Sequence, residues 1–489
     1  MSVTRFPRWL LWLPVAFAVA LIGWGAPVPT PMHWLWGPAV CEAAERPAPD
    51  REAGQAAYLQ HCARCHGQAA KGDGVDAKRF YPRPRDLTLG VYKFRSTVSG
   101  TPPIDEDLFR TITQGLSGTN MPDWAHLDEA VRWQLVEYLK RLAPLFDEAT
   151  PQPVTLPPGP GHGRVDLKRG RAVYEQLGCA ACHGNTGRAN GTSAAGLVDD
   201  WGMPIRPANL TQGWSYRGGS DPQAVLTRIL SGIDGTGMPS YAEALAPEDA
   251  WPLAHYVASL QEPPQWNMIA HPLVVEGALP EALDDPRWTQ AERTDVRLRN
   301  VVTAAGEWAN PPTVKAVSFQ AIANADGIAF RLAWDDPTRD GATPPDGVAV
   351  ILQPAGRAGD VVTLQAWPYE GAPPLDICYW AADTGQAPTP TGLVWGQAAE
   401  TVAAGFEPVL ARATPQEPLR GTASSYEDGR WRLLLHRSLH PASPEGAAAI
   451  EPNGFTAVAF AVWDGGNPEA RAVSPWTDLA LRQRQGTEQ

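Results

Sequence analysis

The chain has 489 residues, with 40 Lys and Arg against 53 Asp and Glu, giving a formal net charge of −13. That length suggests about three domains. The acidic balance, with no Lys/Arg block, argues against nucleic-acid binding and favours basic or neutral protein partners.

At the N-terminus, Arg5 and Arg8 precede an apolar run from Trp9 to Trp24, interrupted by Pro14. A charged segment followed by a short apolar one reads as an export signal, since a spanning helix needs about 20 apolar residues. A second apolar patch, His33 to Val40, leads into Cys41-Glu42-Ala43-Ala44, where cleavage is expected. Residues 1–44 are therefore read as a signal peptide, with retention as a membrane anchor as the alternative. Of the six Cys, Cys41 and Cys378 lie outside the motifs below and do not read as a disulfide framework.

Residues 50–146 form a first unit. A helix is expected from Gly54 to His61, followed by Cys62-Ala63-Arg64-Cys65-His66. A C-x-x-C-H run is the attachment signal of c-type haem: two thiols add to the haem vinyl groups, and the adjacent His turns a ring nitrogen onto the iron. A Gly- and Pro-rich stretch follows, including Gly67, Gly72, Pro82 and Pro84. Helices are expected over Asp105–Gln114 and Asp128–Leu142, the latter amphipathic through Val131, Leu135, Tyr138 and Leu142. The loop between them, Gly115–Pro122, presents Met121 as a sixth iron ligand.

A Pro/Gly linker covers 147–165 and is richest from Pro151 to Gly163; it should be extended and semi-rigid. Residues 166–262 then repeat the first unit. Cys179-Ala180-Ala181-Cys182-His183 is the second attachment run, and Met238 lies 55 residues beyond His183, the interval that separates His66 from Met121. Gly54-x-x-x-Tyr58 returns as Gly170-x-x-x-Tyr174, and Trp133 and Tyr138 return as Trp251 and Tyr256. Such self-similarity argues for two copies of one unit. The alternative, two zinc or dithiol sites with Met as core filler, leaves the matched Met intervals unexplained. Met203 competes with Met238 on ligand chemistry alone. His61, His126, His162 and His255 are read as structural or solvated.

Both units resemble class I cytochrome c domains. The resemblance implies two small all-α folds, two covalently bound haem c groups, His/Met iron and electron transfer. It also implies a backbone carbonyl on the second nitrogen of each haem His, for which Pro84 and Pro207 are the candidates. The haem-binding residues expected are Cys62, Cys65, His66 and Met121, and Cys179, Cys182, His183 and Met238, with His66, Met121, His183 and Met238 on the metal.

From 270 to 485 the pattern alternates. Ile328, Phe330, Leu332 and Trp334 recur at period two after Asp326-Gly327, and Asp346–Gln353, Trp431–Leu439 and Phe455–Trp463 also read as strands of an all-β sandwich. The segments Leu332-Ala333-Trp334-Asp335-Asp336-Pro337-Thr338, Asp376-Ile377-Cys378-Tyr379-Trp380 and Ala459-Phe460-Ala461-Val462-Trp463-Asp464-Gly465 resemble the haem-binding subunit domain of ethylbenzene dehydrogenase, a type shared with dimethylsulfide dehydrogenase and nitrite oxidoreductase. That resemblance implies one haem b on a Met and a Lys, and partners carrying molybdenum and iron–sulfur centres. Here no Met follows Met268, and Lys315 is the only Lys after Lys168. The expectation is two haem c groups without haem b; His436, His440 and Cys378 are the other donors.

The function expected is extracytoplasmic, periplasmic electron transfer as a subunit or partner of a molybdenum oxidoreductase, with a soluble cytochrome or terminal oxidase as outlet and association with the membrane through the N-terminus. Filled iron positions weigh against catalysis. A dihaem enzyme acting on a small inorganic or sulfur substrate and a haem-linked ligand-binding protein are the alternatives.

Overall fold

The structure, a computed structural model, describes residues 50–160, 165–301, 313–340, 345–353, 374–382, 398–403, 417–418, 423–442, 447–467 and 471–482, with 46, 48 and 364. The signal-peptide expectation, Cys41 and His162 lie outside these residues. The described residues from 50 onward form one compact unit.

The first half is helical: α1 (Arg51–His61), α2 (Ala63–His66), α3 (Asp105–Gln114), α4 (Glu129–Lys140), α5 (Leu145–Glu148), α6 (Leu167–Gln176), α7 (Ala180–His183), α8 (Pro222–Ser231) and α9 (Pro247–Ser259). Helix α1 begins three residues before the expected Gly54 because Asp50 caps it, accepting from the N–H groups of Glu52 and Ala53 at 3.0 Å each. Helix α4 is shorter than expected: Asp128 takes the N-cap position and Arg141 the C-cap.

Each unit closes by crossing its first helix on its last. At Gly54 a Cβ would meet the Gln134 carbonyl oxygen at 2.4 Å, and at Gly170 the Pro252 carbonyl oxygen at 2.1 Å. Only glycine lets these backbones touch. The cores beside the crossings hold Tyr58, Leu135 and Val136 in one unit and Tyr174, Leu226 and Leu253 in the other, all 2% exposed or less.

The Pro-rich linker is fastened to both units. Val154 N–H donates to Ser96 O at 2.9 Å, and Trp251 Nε1 donates to Pro157 O at 3.0 Å.

The second half holds strands β1 (Ile269–Ala270), β2 (Leu273–Val274), β3 (Thr294–Arg297), β4 (Arg299–Val301), β5 (Ala316–Ala323), β6 (Gly327–Asp335), β7 (Gly347–Leu352), β8 (Leu375–Ala381), β9 (Ala398–Ala403), β10 (Glu417–Pro418), β11 (Ala423–Glu427), β12 (Arg430–Ser438), β13 (Phe455–Trp463), β14 (Arg471–Val473) and β15 (Thr477–Ala480). One sheet runs β1-β15-β13-β7-β8-β9-β10, with β14 on β13 and β4 on β14; the other runs β11-β12-β6-β5-β2, with β3 on β5. Both are mixed, because β1 pairs with β15 and β2 with β5 in parallel.

The sheets pack face to face as a sandwich. Ile328, Phe330, Leu332 and Trp334, the alternating set, all face the shared core. There Phe319 of β5 meets Phe460 of β13 at 4.8 Å between ring centroids, and Trp334, Trp380 and Trp431 pack together. Each such side chain contributes about 1.5–3 kcal/mol by leaving water.

Candidate functional site

The C-x-x-C-H runs fold as single helical turns because the backbone ladder closes locally. His66 N–H donates to Cys62 O and His183 N–H to Cys179 O, each at 2.9 Å. Tyr58 Oη donates to Gly67 O at 2.8 Å, and Tyr174 Oη donates to Gly184 O at 2.7 Å, tying each turn to the helix before it.

The imidazoles are oriented by backbone carbonyls, but not those of Pro84 and Pro207. His66 Nδ1 lies 3.0 Å from Arg85 O, and His183 Nδ1 lies 2.9 Å from Ala208 O. In both units the acceptor is one residue further on; Pro84 O is turned instead toward Gly72. With Nδ1–H donating, Nε2 keeps its lone pair for a metal. Burial pushes both imidazoles below the ordinary His value, against the carbonyl contacts, which favours the neutral ligand form.

The Met loops are built alike. Leu116 N–H donates to Met121 O at 3.0 Å, Thr119 Oγ1 to Leu116 O at 2.7 Å, and Met121 N–H to Thr119 Oγ1 at 3.0 Å. Ile233, Thr236 and Met238 make the same three bonds at 3.0, 2.7 and 3.2 Å. Each loop leaves its helix through a glycine of positive φ, Gly115 at 64° and Gly232 at 67°. In the first unit Trp124, just after Met121, lies 5.4 Å from the His61 ring, beside Cys62.

Cys179, Cys182, His183 and Met238 line one cavity of about 590 Å³, within the roughly 300–1,000 Å³ range of cofactor sites. Met203 lines it too. Only Met238 sits in a loop that repeats the Met121 hydrogen bonds, and this distinguishes the two sulfurs.

The walls of this cavity come from three parts of the chain. The first unit supplies Lys71, Arg85 and Lys93, and the β half supplies Thr313, Lys315 and Asp335. Arg85 holds His66 with its carbonyl, while its guanidinium stacks 3.8 Å over Trp201 in the cavity wall. The units are locked by Arg95 on Asp234 at 2.8 Å and by Tyr81 Oη on Pro204 O at 2.6 Å.

Sequence reading missed Arg217 and noted Lys315 only as a lone late Lys; both line the cavity. Among the described residues neither forms an ion pair or a side-chain hydrogen bond. Burial, with Arg217 nearby, pushes Lys315 down to about 8. Cations without an ion pair, Arg217 and Lys315 among them, at an apolar, cysteine- and histidine-bearing cavity fit a macrocycle with acidic side arms, so the residues present suit haem c. The haem b donors are not brought together. Cys378 is wholly buried in the sandwich core, His436 Nε2 lies 2.6 Å from Pro280 O, and His440 is exposed beside Glu451.

Residues 49–139 and 165–257 match the family described as Cytochrome C oxidase, cbb3-type, subunit III. The chain is 28% identical over 217 residues to the Cbb3-type cytochrome c oxidase subunit CcoP of Azospirillum sp. (strain B510), a match covering 42% of this chain and 61% of that protein. The chain thus spans about three fifths of this curated relative. Among solved structures it is similar to a chain of the Kuenenia stuttgartiensis reducing HAO-like protein complex Kustc0457/Kustc0458 (40% identity, TM-score 0.42, covering 45% of this chain and 100% of that one). It is also similar to a family 9 carbohydrate binding module from Caldicellulosiruptor kristjanssonii in complex with cellotriose (11% identity, TM-score 0.26, covering 45% and 97%). Among the described residues no helix is long and apolar enough to cross a membrane. Over the stretches 49–139 and 165–257, the helical half of the chain is thus similar to a cytochrome family.

Proposed function

We propose that this chain is a periplasmic dihaem electron-transfer protein. His66 with Met121 and His183 with Met238 would hold the two irons, and Cys62, Cys65, Cys179 and Cys182 would tether the two haems. When bound, haem c supplies a one-electron ferric/ferrous couple, and Met/His ligation sets it at a raised potential. The chain's residues supply the rest. The Arg85 and Ala208 carbonyls hold the imidazoles with Nε2 presented. The Thr119 and Thr236 hydroxyls fix the Met loops. Arg217 and Lys315 would receive the acidic side arms of the second haem. Arg85, which holds His66 by its carbonyl and lines the second cavity with its guanidinium, gives the two sites a shared wall for electron passage.

The observation that carries this reading is the cavity itself, where both thiols, the imidazole and one repeat-matched Met of the second motif meet beside cations that include Arg217 and Lys315. We further propose that the β-sandwich, through its ethylbenzene dehydrogenase-like segments, docks the chain onto a redox enzyme of the molybdenum and iron–sulfur type, with a soluble cytochrome or terminal oxidase as outlet. The named role of the curated relative, an oxidase subunit, supports membership of a larger redox assembly.

The test is intact mass and pyridine haemochrome of the mature chain. Two porphyrin masses and two haems per chain are expected; a chain weighing only its amino acids overturns the reading. Copurification without any molybdenum-bearing subunit counts against the docking.

A further inference from the structure

Four aspartates meet at one end of the sandwich. Asp336 directly follows β6, Asp340 and Asp346 lie on the connection to β7, and Asp464 directly follows β13. One carboxylate oxygen from each lies within 4.8 Å of the other three. Asp336 and Asp346 are 0% exposed and Asp464 5%.

Their neighbours along the chain and the sheet show how this protein ordinarily neutralises a buried carboxylate. Asp335 is met by Arg430 at 2.7 Å and Arg188 at 3.3 Å, and Asp376 by Arg437 at 2.6 Å. Among the described residues no Lys or Arg pairs with any of the four clustered aspartates. Buried carboxylates are costly unless paired or bound to a metal.

Backbone and side-chain donors converge on the cluster. Asp346 accepts from Asp340 N–H at 2.9 Å, Gly465 N–H at 2.9 Å and Trp431 Nε1–H at 3.0 Å. Asp464 accepts from Gly466 N–H at 2.8 Å and from the Thr313 hydroxyl. Asp336 Oδ1 accepts from Thr338 N–H at 3.2 Å. Its Oδ2, in a wholly buried side chain among the other three carboxylates, has no hydrogen-bond partner. A buried carboxylate oxygen without a partner, in a group of four acids paired with no Lys or Arg among the described residues, calls for a cation.

We propose that Asp336, Asp340, Asp346 and Asp464 bind one divalent cation of the calcium class, with Asp336 Oδ2 among its ligands. The donor set is oxygen only, without Cys, His or Met, which selects a hard cation over zinc or copper. Calcium tolerates irregular carboxylate cages, whereas magnesium demands near-octahedral geometry. Asp335 and Pro337, on either side of Asp336, line the 590 Å³ cavity. A cation here would pin the edge of the sandwich that walls it.

The test uses the full-length chain as purified. Elemental analysis before and after chelation, then calorimetric titration with calcium and with magnesium, reads retained and rebound metal. One calcium per chain, retained or rebound, is expected, with affinity reduced at least tenfold in the Asp336→Asn/Asp464→Asn double variant and the unfolding midpoint lowered by chelation. If the variant does not fold, the wild-type measurements decide. A chain that neither retains nor takes up a divalent metal overturns the proposal, as does uptake of magnesium but not calcium. None of these readouts depends on haem content, so failure here leaves the electron-transfer reading standing.

Discussion

Replacing Asp335 with alanine should loosen the β-sandwich from the second helical unit. Asp335 is 6% exposed. It accepts from Arg430 Nε at 2.7 Å, Asn209 Nδ2 at 2.9 Å, Gln212 Nε2 at 3.2 Å, Arg188 Nε at 3.3 Å and Thr211 Oγ1 at 3.3 Å. Four of these donors belong to the helical half, so the carboxylate is the hub of that interface. Removing one side of a buried ion pair costs about 3–5 kcal/mol. Glu262 still faces both guanidiniums, at 2.6 Å from Arg188 and 2.8 Å from Arg430. The loss expected for Asp335→Ala is therefore at the low end, about 3 kcal/mol, or about a hundredfold in the folded ratio.

The assay is denaturant unfolding of the full-length chain, with far-UV circular dichroism and the Soret band as separate probes. The variant should unfold at lower denaturant, with the two probes separating. A change below about 0.5 kcal/mol, the size of an ordinary surface substitution, refutes the reasoning. The pH dependence carries the same signature. Burial alone would raise the Asp335 carboxyl, but Arg430 and Arg188 outweigh it and hold it below the usual value. Its stabilisation is thus present above about pH 4, the unfolded value, and lost as pH falls through the folded value. The gap between wild type and variant should close in acid.

Three further outcomes are expected. Gly170→Ala places a Cβ 2.1 Å from Pro252 O and 2.7 Å from Tyr256 Cβ; thermal unfolding should show a loss of about 1–3 kcal/mol, and an unchanged midpoint would contradict the close crossing. Met238→Ala should abolish the Met–iron charge-transfer band of one haem while Met203→Leu keeps it, and the reverse pattern would reassign the ligand. Lys315→Met removes a cation from the second cavity and should lower the midpoint potential of that haem alone in spectroelectrochemical titration; an unchanged or raised potential would exclude Lys315 as its partner.

The sequence by itself carried the C-x-x-C-H runs, the Met loops and the repeat, because these depend on residue spacing and local turns. Cys179, His183 and Met238 could be named from intervals alone, and the alternation from Ile328 to Trp334 set the core face of β6. Only the tertiary structure decided what surrounds them. The carbonyls on His66 and His183 come from Arg85 and Ala208 because carbonyl direction depends on the backbone path, which residue type does not encode. Arg217, Lys315 and the Asp335 hub join segments more than a hundred residues apart in several cases. The aspartate cluster likewise needs β6 and β13, which lie in different sheets, to end side by side. Charges that meet only after folding leave no periodic signal, since their pairing is fixed by the packing of sheets and helices.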